Sequence, residues 1–514
     1  MIEEIVTKFQ GFRNRLFQFF HYRAGATMDL IDAVSATTNA DSIVKFSLSK
    51  LFRRKYSSIT DVLDSLFRMH LKRMPTVEER KKQTLQLSQF LAAECVQDIE
   101  RSDFVLFAID CTANPRIYAK KVSDRTIVHA SNQILEQKPI TIGHEYSVLV
   151  HLPNRIEDRE RHWVVPLSVR RVPSDRQGPE IGLDQLGEIV NQTEFKNYFC
   201  VSVSDTAYSR KNWIIGINQW PHAVHLARMR GNRKLYHTPL PNSRTRCGRP
   251  RIYGEVFLLK SPCQPELEEL ITTTSRKGKT WKVTLQRWNN LIAVGSKEER
   301  TNEHPFDLVR ITVKDQKGKA IYRRPLWIMV AGHRKKEISS LQVYESYSRR
   351  YDIEHFFRFG KQRLGLVKSQ TSETLHEENW HWIALLAYNM LYRARGIAQS
   401  VPYPWEKKKV AIIEAIQRPT QVQRDYERII QGIGTPAPVP KPRGNPLGRK
   451  KGCEGKKRQD HPFIRKKSKN QSEESGSIRI KKRRKLPRKM GRPYARIRRI
   501  WAKKHPPPNQ TMTV

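Results

Sequence analysis

The chain has 514 residues, with 95 Lys+Arg against 50 Asp+Glu, a formal net charge of +45 and 38% apolar side chains. This length and apolar share exclude wholesale disorder and predict two or three domains, while no run of about 18 apolar residues is present to span a membrane and the opening MIEEIVTKF lacks a secretory pattern. The charge predicts a polyanionic partner, nucleic acid first, and six scattered cysteines without a C-x-x-C argue against a zinc ribbon or disulfide scaffold and for the cytoplasm.

Region 1–100 holds 15 basic and 12 acidic side chains and is predicted helical. Val62, Leu63, Leu66 and Phe67 fall at helical spacing after Thr60, and Thr76-x-x-Glu79 is a capping box for the next helix, whose Leu85, Phe90 and Leu91 face a core. Two roles stay open for this region: a DNA-end-binding module or a helical bracket on the main domain.

At residue 103 the pattern changes. Asp103–Ile109 is an apolar run of strand length ending at Asp110; Ser147–His151 and Trp163–Val169 are further strands, Ile181–Val190 a helix, and Tyr198–Val203 a strand ending at Ser204-Asp205. The fold class is α/β. Residues 220–332 read as mostly β, with strands at Tyr253–Leu259, Trp281–Leu285, Leu308–Val313 and Leu326–Val330. Arg228, Arg230 and Arg233 alternate with apolar residues on a strand there, either lining a DNA channel or forming a solvated face. Helical character returns over 337–397, and 401–434 is predicted to be a helical segment. Residues 441–514 hold 26 basic and 4 acidic side chains. With the Pro-containing stretch from 435 as linker, 435–514 is predicted to be a disordered basic tail, serving as a phosphate-binding arm. Cys247 and Cys263 lack a nearby His pair to argue a metal site, and His144, His151 and His162 are expected to be structural.

The chemistry is carried by acidic residues in a basic chain. Asp110 and Asp205 each follow an apolar strand, where ligands and metals commonly bind in open sheets, although a lone Asp there is more often a turn former or cap. The third element is Tyr347–Leu366, YSRRYDIEHFFRFGKQRLGL. Read as one helix, Tyr347, Arg350, Glu354 and Lys361 fall at about 0°, −60°, −20° and −40°, beside an apolar stripe of Ile353, Phe357 and Leu364. A carboxylate for a metal, two cations for phosphates and a ring for a base would then share one face. The same spacing also fits an ordinary Arg350/Glu354 ion pair on a solvated helix, and Glu345 or Asp352 could hold Arg350 instead.

Taken together, Tyr347-x2-Arg350-x3-Glu354-x6-Lys361, Asp110-Cys-Thr112 and Val203-Ser-Asp205-x-x-Tyr208 resemble the DDE transposases of bacterial insertion sequences, in the insertion-sequence-four-like superfamily marked by Y-x2-R-x3-E-x6-K. The resemblance covers roughly residues 100–395. It implies a ribonuclease H-like mixed sheet flanked by helices over 101–400, with a β-rich insertion at about 220–332. It also implies a catalytic triad, Asp110, Asp205 and Glu354, holding two Mg²⁺ ions (Mn²⁺ substituting), with Tyr347, Arg350 and Lys361 on the DNA near the cleaved end; Arg228 and Arg230 are expected as DNA contacts from their strand pattern alone. The implied partners are double-stranded DNA, both element ends and target, and a second copy of the chain in a homodimer or larger assembly, without a membrane, in a bacterial cytoplasm at the nucleoid. The rivals are a structure-selective nuclease of the junction-resolvase type and a non-catalytic DNA-binding regulator.

Overall fold

The computed structural model describes residues 2–69, 73–96, 103–130, 139–154, 162–239, 251–274, 280–295, 299–399, 417–442, 448, 452 and 458–466. All belong to one compact unit, Met1–Lys466. In chain order its elements are α1 (Ile2–Phe19), α2 (Ala24–Ala36), α3 (Ile43–Phe46), α4 (Ser57–Ser65), α5 (Val77–Val96), β1 (Val105–Pro115), β2 (Thr126–His129), β3 (Ile140–His151), β4 (Val165–Val172), α6 (Gly178–Val190), β5 (Cys200–Ser204), α7 (Lys211–Ile217), β6 (Ala223–Arg228), β7 (Lys234–His237), β8 (Val256–Leu258), β9 (Leu267–Thr274), β10 (Thr280–Ala293), β11 (Phe306–Asp315), β12 (Leu326–Ala331), α8 (Ser340–Arg349), α9 (Tyr351–Arg363), α10 (Thr374–Ala394) and α11 (Pro419–Ile433).

Twelve strands form one mixed sheet, ordered β2-β3-β1-β5-β6-β12-β11-β10-β7-β8, with β4 also on β3 and β9 on β10. β1, β5 and β6 are parallel neighbours; β3 and β4 extend the sheet on one side as an antiparallel pair. This order, flanked by helices, is compatible with a ribonuclease H-like fold. The central strands carry near-continuous apolar runs because both faces are covered: Val105 to Ile109 and Cys200 to Ser204 are buried throughout. β6 is the parallel neighbour of β5, so the antiparallel part starts after Arg228 and returns to the core through β12, which pairs with β6.

Local sequence sets the helix starts. Thr76 and Glu79 exchange hydrogen bonds with each other's backbone N–H before α5, as the capping box predicts. Ser339 and Gln342 do the same for α8, and Gln177 and Glu180 for α6. α6 begins at Gly178 because there is no room for more: a Cβ there would lie 2.4 Å from Cys111 Sγ, so helix and β1 pack at closest approach.

α10 is buried on nearly every side and packs against α2, α4, α11 and β4, while α5 lies on β4 and α6. The N-terminal helices thus share one apolar core with the sheet. A buried network, in which Arg13 donates to both oxygens of Asp32 and Tyr426 OH donates to Asp32 Oδ1, joins α1, α2 and α11.

Three expectations need correcting. β1 does not end at Asp110: its pairing with β5 stops at Ile109↔Ser204, but β3 continues to pair it as far as Pro115. The span Tyr347–Leu366 is not one helix. α8 ends at Arg349 and α9 starts at Tyr351, with i→i+3 bonds around Arg350 tightening the turn between them. Lastly, part of the predicted tail is docked on the body. His461 N–H donates to Lys120 O, Ile464 N–H to Arg125 O, and Ile464 bridges Thr126 at the sheet edge. Asp460 pairs with Lys121 and Arg458 with Glu373. The tail beyond 466, and the expected helical stretch over 401–416, lie outside the described residues.

Candidate active site

The site forms where the parallel pairing of β1 and β5 runs out. Asp110 and Asp205 each stand one residue past the last paired couple, Ile109↔Ser204, so neighbouring strands deliver the two carboxylates to the same level. Asp205 Oδ1 accepts from Ala207 N–H at 2.7 Å and caps the short 3-10 turn Thr206–Tyr208. It therefore has the capping role a lone Asp would suggest, with its second oxygen left over. Asp110 Oδ1 accepts from Cys111 N–H at 2.8 Å.

The α8–α9 junction supplies the third carboxylate. Arg350 Nη2 donates to Glu354 Oε1 at 2.6 Å, and its Nη1 reaches Asp110 Oδ2 at 3.4 Å. The i,i+4 ion pair expected of a solvated helix thus exists, but it points inward and joins Glu354 to Asp110. Neither Glu345 nor Asp352 holds Arg350; Asp352 instead pairs with Arg349 and His162. Tyr347, half-buried, lies close to Arg350. Lys361 lies in the last turn of α9, which passes Gly360 unbroken to Arg363.

Electrostatics mark Asp110 as the strained member. Burial, then the Asp205 charge, push its pKa up to about 7, with Glu354 adding to the rise and Arg350 and Cys111 N–H opposing it. Burial works against the Arg350 charge, yet Tyr347, Asp110 and Glu354 outweigh it and raise its pKa. Burial lowers Lys361, with Asp110 pulling the other way, and raises Tyr347 despite Arg350 and Arg228 nearby.

Arg228, at the end of β6, is exposed and shares a cavity with Tyr347 and Arg350. Arg230 is also exposed and neighbours Arg233, but it is not part of that lining. His144 and His151 are buried, the first held by Glu377 and Ser123 O, the second by Leu106 O. His162 is 42% exposed and contacts Asp352 at 2.6 Å. Trp288 is buried among Phe257 and Trp327.

Cys111 and Tyr208, both within the motifs read from the sequence, meet with Sγ 3.3 Å from the OH. Sequence reasoning missed other neighbours. His225, buried on β6 beside β5, contacts the hydroxyls of Ser202 and Ser204, and burial lowers its pKa to about 3. Tyr322, Arg323 and Arg324 stand across the cavity from Tyr347. The run Tyr-Arg-Arg between two strands was the signal for these last three; the buried pairs leave none.

The three carboxylates offer only oxygen donors, the set that suits hard divalent cations. No hydrogen bond or ion pair engages Asp205 Oδ2 or Glu354 Oε2 among the described residues. Desolvation, then the Asp205 charge, raise Asp110, and Arg350 does not offset them. These residues fit a divalent metal by chemistry, although their oxygens do not all lie within 4.8 Å of one another; among the described residues only Asp64, Glu373 and His376, at the foot of α10, meet that spacing.

The model of the family described as DDE superfamily endonuclease matches residues 15–289, more than half of the chain, and the chain belongs to that family. The match contains Asp110 and Asp205 and ends before Glu354. Enzymes of this superfamily use divalent metals and act on DNA. No curated protein matches the chain, and no described helix is long and apolar enough to cross a membrane.

Proposed function

With membership of the DDE superfamily endonucleases as premise, we propose that this chain is the DNA transposase of an insertion sequence, cutting at the element's inverted-repeat ends and joining the freed strands to target DNA. The observation that supports this reading is that Arg350 joins Glu354 of α9 to Asp110, which stands at the same level as Asp205 at the ends of paired strands.

Two divalent ions, Mg²⁺ or Mn²⁺, held by these three carboxylates would supply the Lewis acidity that activates water for the first cut and stabilises the leaving oxygen. The chain's own residues bind and orient the strand. Arg350 carries a planar fork suited to a phosphate oxygen. Tyr347 orients Arg350 and offers a ring to the neighbouring base. Lys361, two turns beyond Glu354 on α9, holds a second phosphate, and Arg228 and Arg230 contact the flanking duplex. No protein nucleophile is required, because water and then a DNA 3′-OH attack phosphorus. Two DNA ends call for at least a homodimer on the DNA, in a bacterial cytoplasm at the nucleoid.

The test is incubation with Mg²⁺ and a duplex carrying the repeats that flank the protein's own gene. Paired cleavage at both repeats followed by strand transfer is expected. Nicking confined to branched junctions would instead mean a structure-selective nuclease, and binding without cleavage a regulator.

A further inference from the structure

The foot of α10 gathers three metal-ligating side chains that cleavage does not use. Asp64 lies near the end of α4, Glu373 immediately precedes α10, and His376 sits in its first turn. One ligand atom from each falls within 4.8 Å of the other two. His376 Nε2 lies 2.5 Å from Asp64 Oδ1 and 3.5 Å from Glu373 Oε2. The imidazole is nearly buried, while both carboxylates are partly open to solvent, so an ion has a path in from the surface. Neighbours hold the ligands in place. Arg458 Nη2 donates to Glu373 Oε1 at 2.7 Å and leaves Oε2 to face the imidazole. Thr371 Oγ1 lies 3.2 Å from His376 Nδ1 and also accepts from Glu373 N–H at 3.1 Å. A hydroxyl oxygen has a second lone pair, so it can accept the Nδ1 proton that a metal on Nε2 requires.

One imidazole nitrogen carries at most one proton, and at 2.5 Å that proton goes to Asp64. Glu373 Oε2 is then a second negative oxygen at the same nitrogen with no proton to share, and like charges this close repel. A divalent ion engages all three atoms at once. We propose that Asp64, Glu373 and His376 form a binding site for a divalent transition metal of the Zn²⁺ class, separate from the carboxylate triad. An imidazole donor suits Zn²⁺, Co²⁺ or Ni²⁺, whereas Mg²⁺ takes oxygen ligands, so the two sites favour different metals. Three protein ligands leave a fourth position to water. The ion ties α4 of the N-terminal region to the start of α10 and, through Glu373, to Arg458 of the docked segment 458–466. Its role is that of a clamp on the fold, because metal bound only by the folded chain adds its binding free energy to stability.

The test is calorimetric titration of the full chain, freed of metal by a chelator, with Zn²⁺ in excess Mg²⁺. Mg²⁺ fills the oxygen-only triad, and any uptake by cysteines is common to all the proteins compared. The wild type should take up one equivalent of Zn²⁺ more than His376→Ala and one more than Asp64→Asn. In thermal melts, Zn²⁺ should raise the melting temperature of the wild type more than that of either variant. Each melt is referred to the same protein in EDTA, so a variant's own loss of stability cancels. Asp64 is 48% exposed, so its replacement by Asn leaves the core untouched. If either variant takes up as much Zn²⁺ as the wild type, the three-ligand site is overturned. If uptake differs but the wild type gains no more melting temperature than the variants, the clamp is overturned. Neither readout involves DNA, so the outcome stands apart from the reading of this chain as a transposase.

Discussion

Two carboxylates in this molecule are both contacted by arginine, and they end in opposite states. Glu377, on α10, is 0% exposed; Tyr146 OH donates to it at 2.9 Å, His144 Nδ1 lies at 2.8 Å and Arg116 Nε at 3.1 Å. Burial works against its charge, but His144, His381 and Arg116 outweigh burial and hold its pKa below the ordinary value. Asp110, its side chain 20% exposed, touches Arg350, yet desolvation and then the Asp205 and Glu354 charges push its pKa up to about 7. A carboxylate that holds a fold together is surrounded by donors. One that is left short of positive charge, among other carboxylates, is free to take a cation. The contrast separates structure from chemistry within one pair of strands, since β3 carries His144 and Tyr146 while β1 carries Asp110.

Substitutions break this comparison in opposite directions. Asp110→Ala or Asp205→Ala should reduce Mg²⁺-dependent cleavage by roughly a thousandfold or more while leaving DNA affinity nearly intact, as paired nicking and gel-shift assays would show. Glu377→Gln should instead destabilise the fold by about 3–5 kcal/mol, because it strips the charge from a buried ion pair; chemical denaturation reads this, and unchanged stability would refute the structural role.

Asp110→Asn gives the sharpest contrast. A carboxyl with a raised folded pKa contributes stability that is complete below its unfolded pKa of 3.8 and is lost as pH rises towards 7. The asparagine variant is spared that loss. It should be more stable than the wild type by up to about 4 kcal/mol at pH 8, with the difference fading below pH 4. Mg²⁺ should raise the melting temperature of the wild type and not of this variant. Lys361→Ala, which removes the proposed phosphate contact but no carboxylate, should cost only about tenfold in cleavage. Deleting 467–514, which holds 16 basic and 2 acidic residues, should flatten the salt dependence of binding and change cleavage at saturating DNA by about twofold at most.

The sequence made the site's components legible but not how they join. The apolar runs before Asp110 and Asp205 located β1 and β5 because strands buried on both faces must be apolar in every position. They could not show that β1 continues to Pro115, since that depends on β3 remaining paired after β5 has ended. The spacing in the signature segment brought Arg350 and Glu354 together correctly. The break at Arg350 escaped because its backbone stays right-handed helical, at φ −50° and ψ −31°, and only the hydrogen-bond pattern changes. β9 was missed because LEELITTT has exposed residues at alternate positions and no fully buried one, so it carries no apolar-run signal. Arg116 and Glu377 lie far apart in sequence, and no local pattern announces a pair made by folding.

The most direct test compares the wild type with Glu354→Gln on the same repeat-bearing duplex, recording binding by gel shift and cleavage after Mg²⁺ addition. Glu354 lies outside the matched span, on α9 rather than the sheet, and joins Asp110 only through Arg350. The assignment predicts that the variant binds as the wild type does and leaves both ends uncut. Cleavage by Glu354→Gln at the wild-type rate would contradict it.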